Sequence, residues 1–158
     1  MNFTSKYHTK IGWLEIKGTT DFITSILFQE HEPKVSDNLP EIYNRLHNQF
    51  DAYFLDSKWT FDVQLCPSGT DFQKSVWSEL QKIPFGKTIS YLDLARRLGD
   101  EKVIRAAASA NGKNPISILI PCHRVIGKNG SLTGYAGGLH RKKFLLELEQ
   151  GVSSPLLF

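Results

Sequence analysis

What most constrains this chain is the place where its hydrophobic period changes. Up to residue 68 the strand pattern dominates: "IGWLEIKG" alternates and breaks at Gly18, and "DFITSILF" is β-branched and aromatic. One helix interrupts it, with Leu39, Ile42, Leu46, Phe50 and Phe54 recurring at three or four, Asp37 as the expected N-cap and Pro40 in the first turn. "FDVQLC" reads as a further strand. From Thr70 the pattern turns helical. Thr70-x-x-Gln73 is a capping box, followed by Phe72, Val76, Leu80 and Ile83 on one face and by the terminator Pro84-Phe85-Gly86. Ser90, with Asp93 three residues on, caps "YLDLARRL"; Gly99-Asp100 turns the chain; "EKVIRAAASAN" is a second helix. Two short helices joined by a glycine-containing turn make a helix-turn-helix.

Pro115 closes that unit. A strand-like "ISILI" then runs into Pro121-Cys122-His123-Arg124, a glycine-rich loop follows, and residues 140–150 form a last helix with Phe144, Leu145 and Leu148 inward. The expected class is α+β: a small N-terminal α/β domain with a β-sheet (1–68), a mostly helical C-terminal domain containing the helix-turn-helix (69–152), and a loose tail (153–158).

A chain of 158 residues buries roughly 68–70% of its unfolded surface, enough for a core without staples. With 41% hydrophobic and 22% charged residues it reads as soluble and globular. No apolar run approaches membrane-spanning length, and the start has no signal-peptide pattern, so neither a membrane partner nor secretion is expected. Only Cys66 and Cys122 are present, without a CxxC or a Cys/His cluster, so free thiols in a reducing cytoplasm are expected, with no metal and no cofactor. A monomer is the default.

Charge is uneven. Residues 1–84 carry eight Lys/Arg against eleven Asp/Glu, a balance of −3, and residues 85–158 carry eleven against five, a balance of +6. A polyanionic partner for the second half fits this asymmetry, as does a plain solvated basic face. Two decoys fall away. "FGKTIS" lacks the glycine that a phosphate-binding loop needs five residues before its Gly-Lys, since position 81 is Gln. "GSLTGYAGG" lacks dinucleotide-fold spacing and suits a tight turn or a loop that a flat ligand approaches closely. Cys66 has no basic neighbour in sequence and reads as inert.

The helix pair carries Arg96, Arg97, Lys102, Arg105 and Lys113, where phosphate contacts would be wanted. Its second helix presents Ala106, Ala107, Ala108 and Ala110, small enough for close approach to a groove but unable to read base edges. Such a helix binds DNA with little sequence preference, and Arg105 is long enough to fill the place of an extruded base. Cys122 beside His123 fits packing, a metal site, a hydrolase nucleophile or a thiol used once. Neighbouring side chains in a strand point apart, so a direct Cys–His bond needs a turn, or the proton passes through a water. Glu149, on the same helix as inward Leu145 and Leu148, is the expected partner that orients the imidazole and favours the thiolate.

"ILIPCHRVIG" followed by "GYAGGLHRKKFLLELE" closely resembles the methylated-DNA–protein-cysteine methyltransferases, the suicidal O6-alkylguanine-DNA alkyltransferases, whose signature is the Pro-Cys-His-Arg-Val block. The resemblance covers residues 70–149, and the N-terminal part is similar to that family's smaller domain by pattern only. It implies irreversible, stoichiometric transfer of an alkyl group from O6-alkylguanine, and also O4-alkylthymine, in double-stranded DNA to Cys122. It implies base flipping from the minor groove. His123 would act as base through a water, Glu149 would orient it, and Asn114 would brace the turn beside the helix pair. Tyr91 would rotate the 3′ phosphate and donate a proton to the leaving guanine. Arg105 would replace the flipped nucleotide, with Ala106, Ala107 and Ala110 along the groove. The carbonyls of Cys122 and Val125 and the backbone at Tyr135 and Ala136 would hold the guanine. Many members have serine where this chain has Ala136, which implies slower or differently selective transfer. The alternatives are a non-catalytic lesion binder, a cysteine hydrolase and a sequence-specific regulator.

Overall fold

The computed structural model describes residues 1–56 and 60–151; the expected tail at 153–158 lies outside the described residues. The chain divides into two compact units: Met1–Ser68 with Pro115–Ser117, and Gly69–Asn114 with the chain from Ile118 onward.

In the first unit, β1 (Phe3–Thr9), β2 (Gly12–Gly18) and β3 (Ile23–Gln29) form an antiparallel sheet in sequence order. Alternation along β2 sends Leu14 and Ile16 into the core. In β3 the buried residues are Ile23 and Ile26, three apart, because the register shifts opposite Lys17 and Gly18 and the irregularity returns both side chains to one face. Helix α1 (Glu41–Asp56) contributes Tyr43, Leu46, Phe50 and Tyr53, all fully buried. Burial of each such side chain contributes about 1.5–3 kcal/mol. The helix begins directly after Pro40, so Asp37 lies outside it and is not its cap. "FDVQLC" is not a strand. It touches β3 at one bridge, Leu65 to Ile23, while Ile116 bridges Ile26 in the same parallel sense. The edge of β3 is shared between two short pieces of chain, and neither piece has length for a ladder.

In the second unit, both expected capping boxes are formed. Thr70 and Gln73 start α2 (Asp71–Leu80), and Ser90 and Asp93 start α3 (Tyr91–Arg97). Each cap contributes about 1 kcal/mol. Gly99, at φ +96°, reverses the chain where a side chain would be strained. The next helix is not uniform. Asp100 accepts from the Lys102 amide at 2.9 Å and opens a 3-10 turn (Glu101–Val103), which passes into α4 (Ile104–Gly112). Two residues of β4 (Ile89–Ser90) pair in parallel with β5 (Val125–Ile126), and α5 (Leu139–Glu149) closes the unit. On α5, Leu146 is buried where Leu148 was expected, and Leu148 is half-buried. The whole is an α+β fold.

Candidate active site and nucleic-acid interface

The strand-like run ahead of the cysteine is a turn. Ile118 has φ +73°, rare for a β-branched residue, and is buried. Such a conformation costs on the order of 1–3 kcal/mol and persists only where surroundings over-determine it. Asn114 supplies part of that support: its Nδ2 donates to the Ile120 carbonyl at 2.7 Å. The Cys122 amide donates to the same carbonyl at 2.8 Å. The chain then enters a 3-10 turn, Cys122–Arg124, with Cys122 and His123 buried. The break from regular strand that an adjacent Cys–His pair requires is present.

His123 is 0% exposed, and its Nε2 lies 2.8 Å from Glu149 Oε2. Arg124 grips the same carboxylate twice, Nε to Oε1 at 2.8 Å and Nη2 to Oε2 at 3.0 Å, and donates through Nη1 to the Ile83 carbonyl at 2.7 Å. Burial alone would push the Glu149 carboxyl up; the neighbouring His123 and Arg124 outweigh it and hold the group well below the usual carboxylate range. Glu149 is therefore an ionised, acceptor-only group, and the proton of the pair sits on His123 Nε2. His123 Nδ1 is buried with no hydrogen-bond partner.

The thiol departs from expectation. Burial pushes Cys122 up, and a hydrogen bond from Asn114, the charge of Lys142 and the backbone only partly oppose this. At rest the group is a thiol, so the carboxylate behind His123 does not by itself deliver a thiolate. Lys142 is the component that sequence reading missed. It is fully buried, and its Nζ donates to the carbonyls of Val125 and Thr133, each at 2.7 Å. Burial lowers it to about 8, against the counter-pull of Cys122. The signal was available: Lys142, Leu145 and Glu149 share one face of α5, so a lysine stood at an inward position.

Tyr91, the first residue of α3, donates its hydroxyl to the Thr133 carbonyl at 3.2 Å and accepts from the Thr133 hydroxyl at 3.3 Å. Thr133 thus ties Tyr91 and Lys142 to the glycine loop. Tyr135 is half-buried and Ala136 exposed on the same loop, which turns back through a bond from the Gly138 amide to the Tyr135 carbonyl at 2.9 Å. Val125 reaches this assembly through the carbonyl that Lys142 holds.

On the helix pair, Arg105 and Ala106 are exposed. Ala107 and Ala110 are not available to a groove: they are 0% and 3% exposed, and the indole of Trp77 donates to the Ala110 carbonyl at 2.9 Å. Their small size serves close packing of α4 inside the unit. Ser109 and Gly112 are the exposed small residues that sequence reading passed over. Among the described residues no group of three His, Cys, Asp or Glu is placed to hold a metal ion, and no helix is long and apolar enough to cross a membrane.

A buried thiol with a histidine–carboxylate pair, set beside a basic helix-turn-helix, defines a class: a DNA-binding protein with a nucleophilic cysteine. The comparisons narrow it. The family model described as 6-O-methylguanine DNA methyltransferase, DNA binding domain, matches residues 71–151. A methylated-DNA–protein-cysteine methyltransferase of Methanosarcina acetivorans is 42% identical over 149 residues, 90% of this chain and 95% of that protein. The crystal structure of Mycobacterium tuberculosis O6-methylguanine methyltransferase superposes with a TM-score of 0.85 at 41% identity, over 96% of this chain and 94% of the other. A structure of Mycobacterium tuberculosis OGT in complex with DNA gives 0.85 at 39% identity, over 97% and 98%. This chain belongs to the methylated-DNA–protein-cysteine methyltransferase family.

Proposed function

We propose that this chain repairs DNA by moving the alkyl group of O6-alkylguanine onto Cys122, once per molecule, with O4-alkylthymine as a second substrate. The observation that carries the reading is the buried Cys122–His123 turn with Nε2 bound 2.8 Å from Glu149, in a chain of this family. The alkyl group of a duplex base is out of reach inside the stack, so the nucleotide is flipped out before chemistry. Arg105 fills its place from the minor groove and Ala106 lies along the groove. The carbonyls of Cys122 and Val125 and the backbone at Tyr135 and Ala136 hold the guanine. Asn114 and Glu149 position the nucleophile and its base.

In the reaction the Cys122 proton passes to His123 Nδ1 through a water, and the sulfur attacks the alkyl carbon. The carbon–O6 bond breaks as the sulfur–carbon bond forms, and the leaving guanine takes a proton from Tyr91. No group at the site hydrolyses a thioether, so each molecule acts once. Residues 69–152 form the DNA-binding and catalytic domain and 1–68 an accessory one. The protein works as a monomer in the reducing cytoplasm, where Cys122 stays free.

A second reading, a lesion binder that does not react, draws on the upward push that burial gives the Cys122 thiol. Intact-protein mass after incubation with a duplex bearing one O6-methylguanine separates the two. The wild type is expected to gain one methyl and stop at one equivalent, and Cys122→Ser to gain none while still binding. Binding without any gain in the wild type would establish the lesion binder.

A further inference from the structure

Deprotonation of Cys122 poses a geometric problem. His123 Nε2 is committed to the ionised Glu149 carboxylate, so only Nδ1 can take a proton, and Nδ1 has no partner, Cys122 included. A bridging molecule must carry the proton. A water trapped in a protein interior needs two to four polar partners, and this one would have the thiol as donor and Nδ1 as acceptor. Its second O–H still needs an acceptor, because a buried hydrogen bond left unmade costs the desolvation of that group.

The second unit supplies that acceptor. Asn111, on the inner face of α4, is 2% exposed, and its Oδ1 is buried with no hydrogen-bond partner. Its Nδ2 faces the Cys122 carbonyl at 3.5 Å, which sets the amide against the peptide of the reactive residue and fixes which end is oxygen. Asn111 Oδ1 and His123 Nδ1 are both orphaned; His123 follows Cys122 directly in the chain, and the Asn111 amide lies against the Cys122 carbonyl. Packing does not explain the asparagine, since an apolar side chain of equal volume would avoid the penalty at position 111.

We propose that Asn111 is a positioning residue of the proton relay: its Oδ1, together with His123 Nδ1, holds the water through which the Cys122 thiol is deprotonated. In the step, the Sγ–H bond breaks as its proton goes to the water oxygen, and the water passes a proton to Nδ1. Its remaining O–H stays donated to Asn111 Oδ1, so no hydronium accumulates. The products are a thiolate and an imidazolium. The thiolate then faces the Asn114 side chain and the Lys142 ammonium, and the imidazolium faces Glu149 with Arg124 behind it. This deepens the alkyl-transfer reading and rests on it for the water's purpose. It also explains how a thiol pushed up by burial is activated only on demand.

The test is Asn111→Leu in the full chain, with Asn111→Met beside it should the leucine not fold. Three quantities are read: methyl transfer from an O6-methylguanine duplex, the pH–rate profile of Cys122 with iodoacetamide resolved from exposed Cys66 by peptide mass, and the thermal midpoint. Expected are transfer about tenfold slower, a profile moved to higher pH, duplex affinity unchanged and a midpoint equal to wild type or above it. An unchanged rate and profile would overturn the proposal. A slower rate with a lowered midpoint and an unmoved profile would overturn it too, by making Asn111 merely structural. If the wild type takes no methyl at all, the alkyl-transfer reading fails, and the iodoacetamide profile still decides the role of Asn111.

Discussion

Each unit of this protein holds a histidine with Nε2 2.8 Å from an oxygen, half-buried in the first and fully buried in the second, and the two differ in what stands behind that oxygen. In the first unit His47 on α1 meets the Ser5 hydroxyl. Burial lowers His47 below its ordinary 6.5, against the pull of Asp51, whose carboxylate is occupied at 2.6 Å by the Tyr7 hydroxyl. In the second unit His123 meets a carboxylate that Arg124 clamps in place. The first arrangement satisfies a half-buried polar residue in a core. The second sinks a carboxylate, a guanidinium and an ammonium into one site, where each depends on its partners. A histidine–oxygen distance therefore does not mark a reactive site; the charge held behind the oxygen does.

The largest expected consequence is in stability. Arg124→Leu takes the guanidinium away from the buried Glu149 carboxylate, and breaking a buried pair costs about 3–5 kcal/mol. Ser5→Ala in the first unit removes a neutral hydrogen bond, worth about 1 kcal/mol. Urea unfolding of the two variants against wild type measures the gap. Equal losses would break the comparison, because the clamp would then be no more than a surface contact. The acid limb sharpens it: Glu149 lies below its ordinary 4.5 when folded, so its contribution is present above that pH and is lost as pH falls further.

Next in size is Lys142→Met. The ammonium joins Val125, Thr133 and the charge balance at Cys122, and hydrogen bonds to a charged group contribute about 1.5–3 kcal/mol. Methyl transfer is expected to slow by at least about tenfold, and the Cys122 alkylation profile to move to higher pH, because a group that favoured the thiolate is gone. A slowed reaction with an unmoved profile would confine Lys142 to holding the loop.

The parts of this molecule legible in its sequence are those written locally. The capping boxes at Thr70 and Ser90 and the turn at Gly99 each depend on residues within four positions, and each formed as read. The pairing of His123 with Glu149 was read across 26 residues because an acid on the inward face of a helix has few reasons to be there. What escaped depends on partners far along the chain. "FDVQLC" lost its strand because β3 spends the other part of its edge on Ile116. "ISILI" became a turn because Asn114 and Ile118 bend it ahead of Cys122. The small size of Ala107 and Ala110 suits a groove as well as a core, and Trp77 and the neighbouring helices take that face. Lys142 is not legible locally because lysine ordinarily faces solvent, and two carbonyls brought together by the fold make it an exception.

The smallest effect probes the first unit by pH. His47 binds its proton less readily in the folded chain than its ordinary 6.5, so near that pH the unfolded chain holds more protons and stability rises with pH. Falling pH reverses this, and the loss should begin as pH drops below that value, well before the carboxylate of the second unit titrates. His47→Gln keeps a polar side chain opposite Ser5 without the titration. Urea midpoints at about pH 7.5 and 5.5 are expected to fall for wild type and to hold for His47→Gln. Parallel declines would mean that the pH response near neutrality does not come from His47, and the first unit would lose its part in the contrast. A decline abolished by the substitution would leave the chain with two separate acid responses, one from a histidine that folds best neutral and one from a carboxylate that folds best charged.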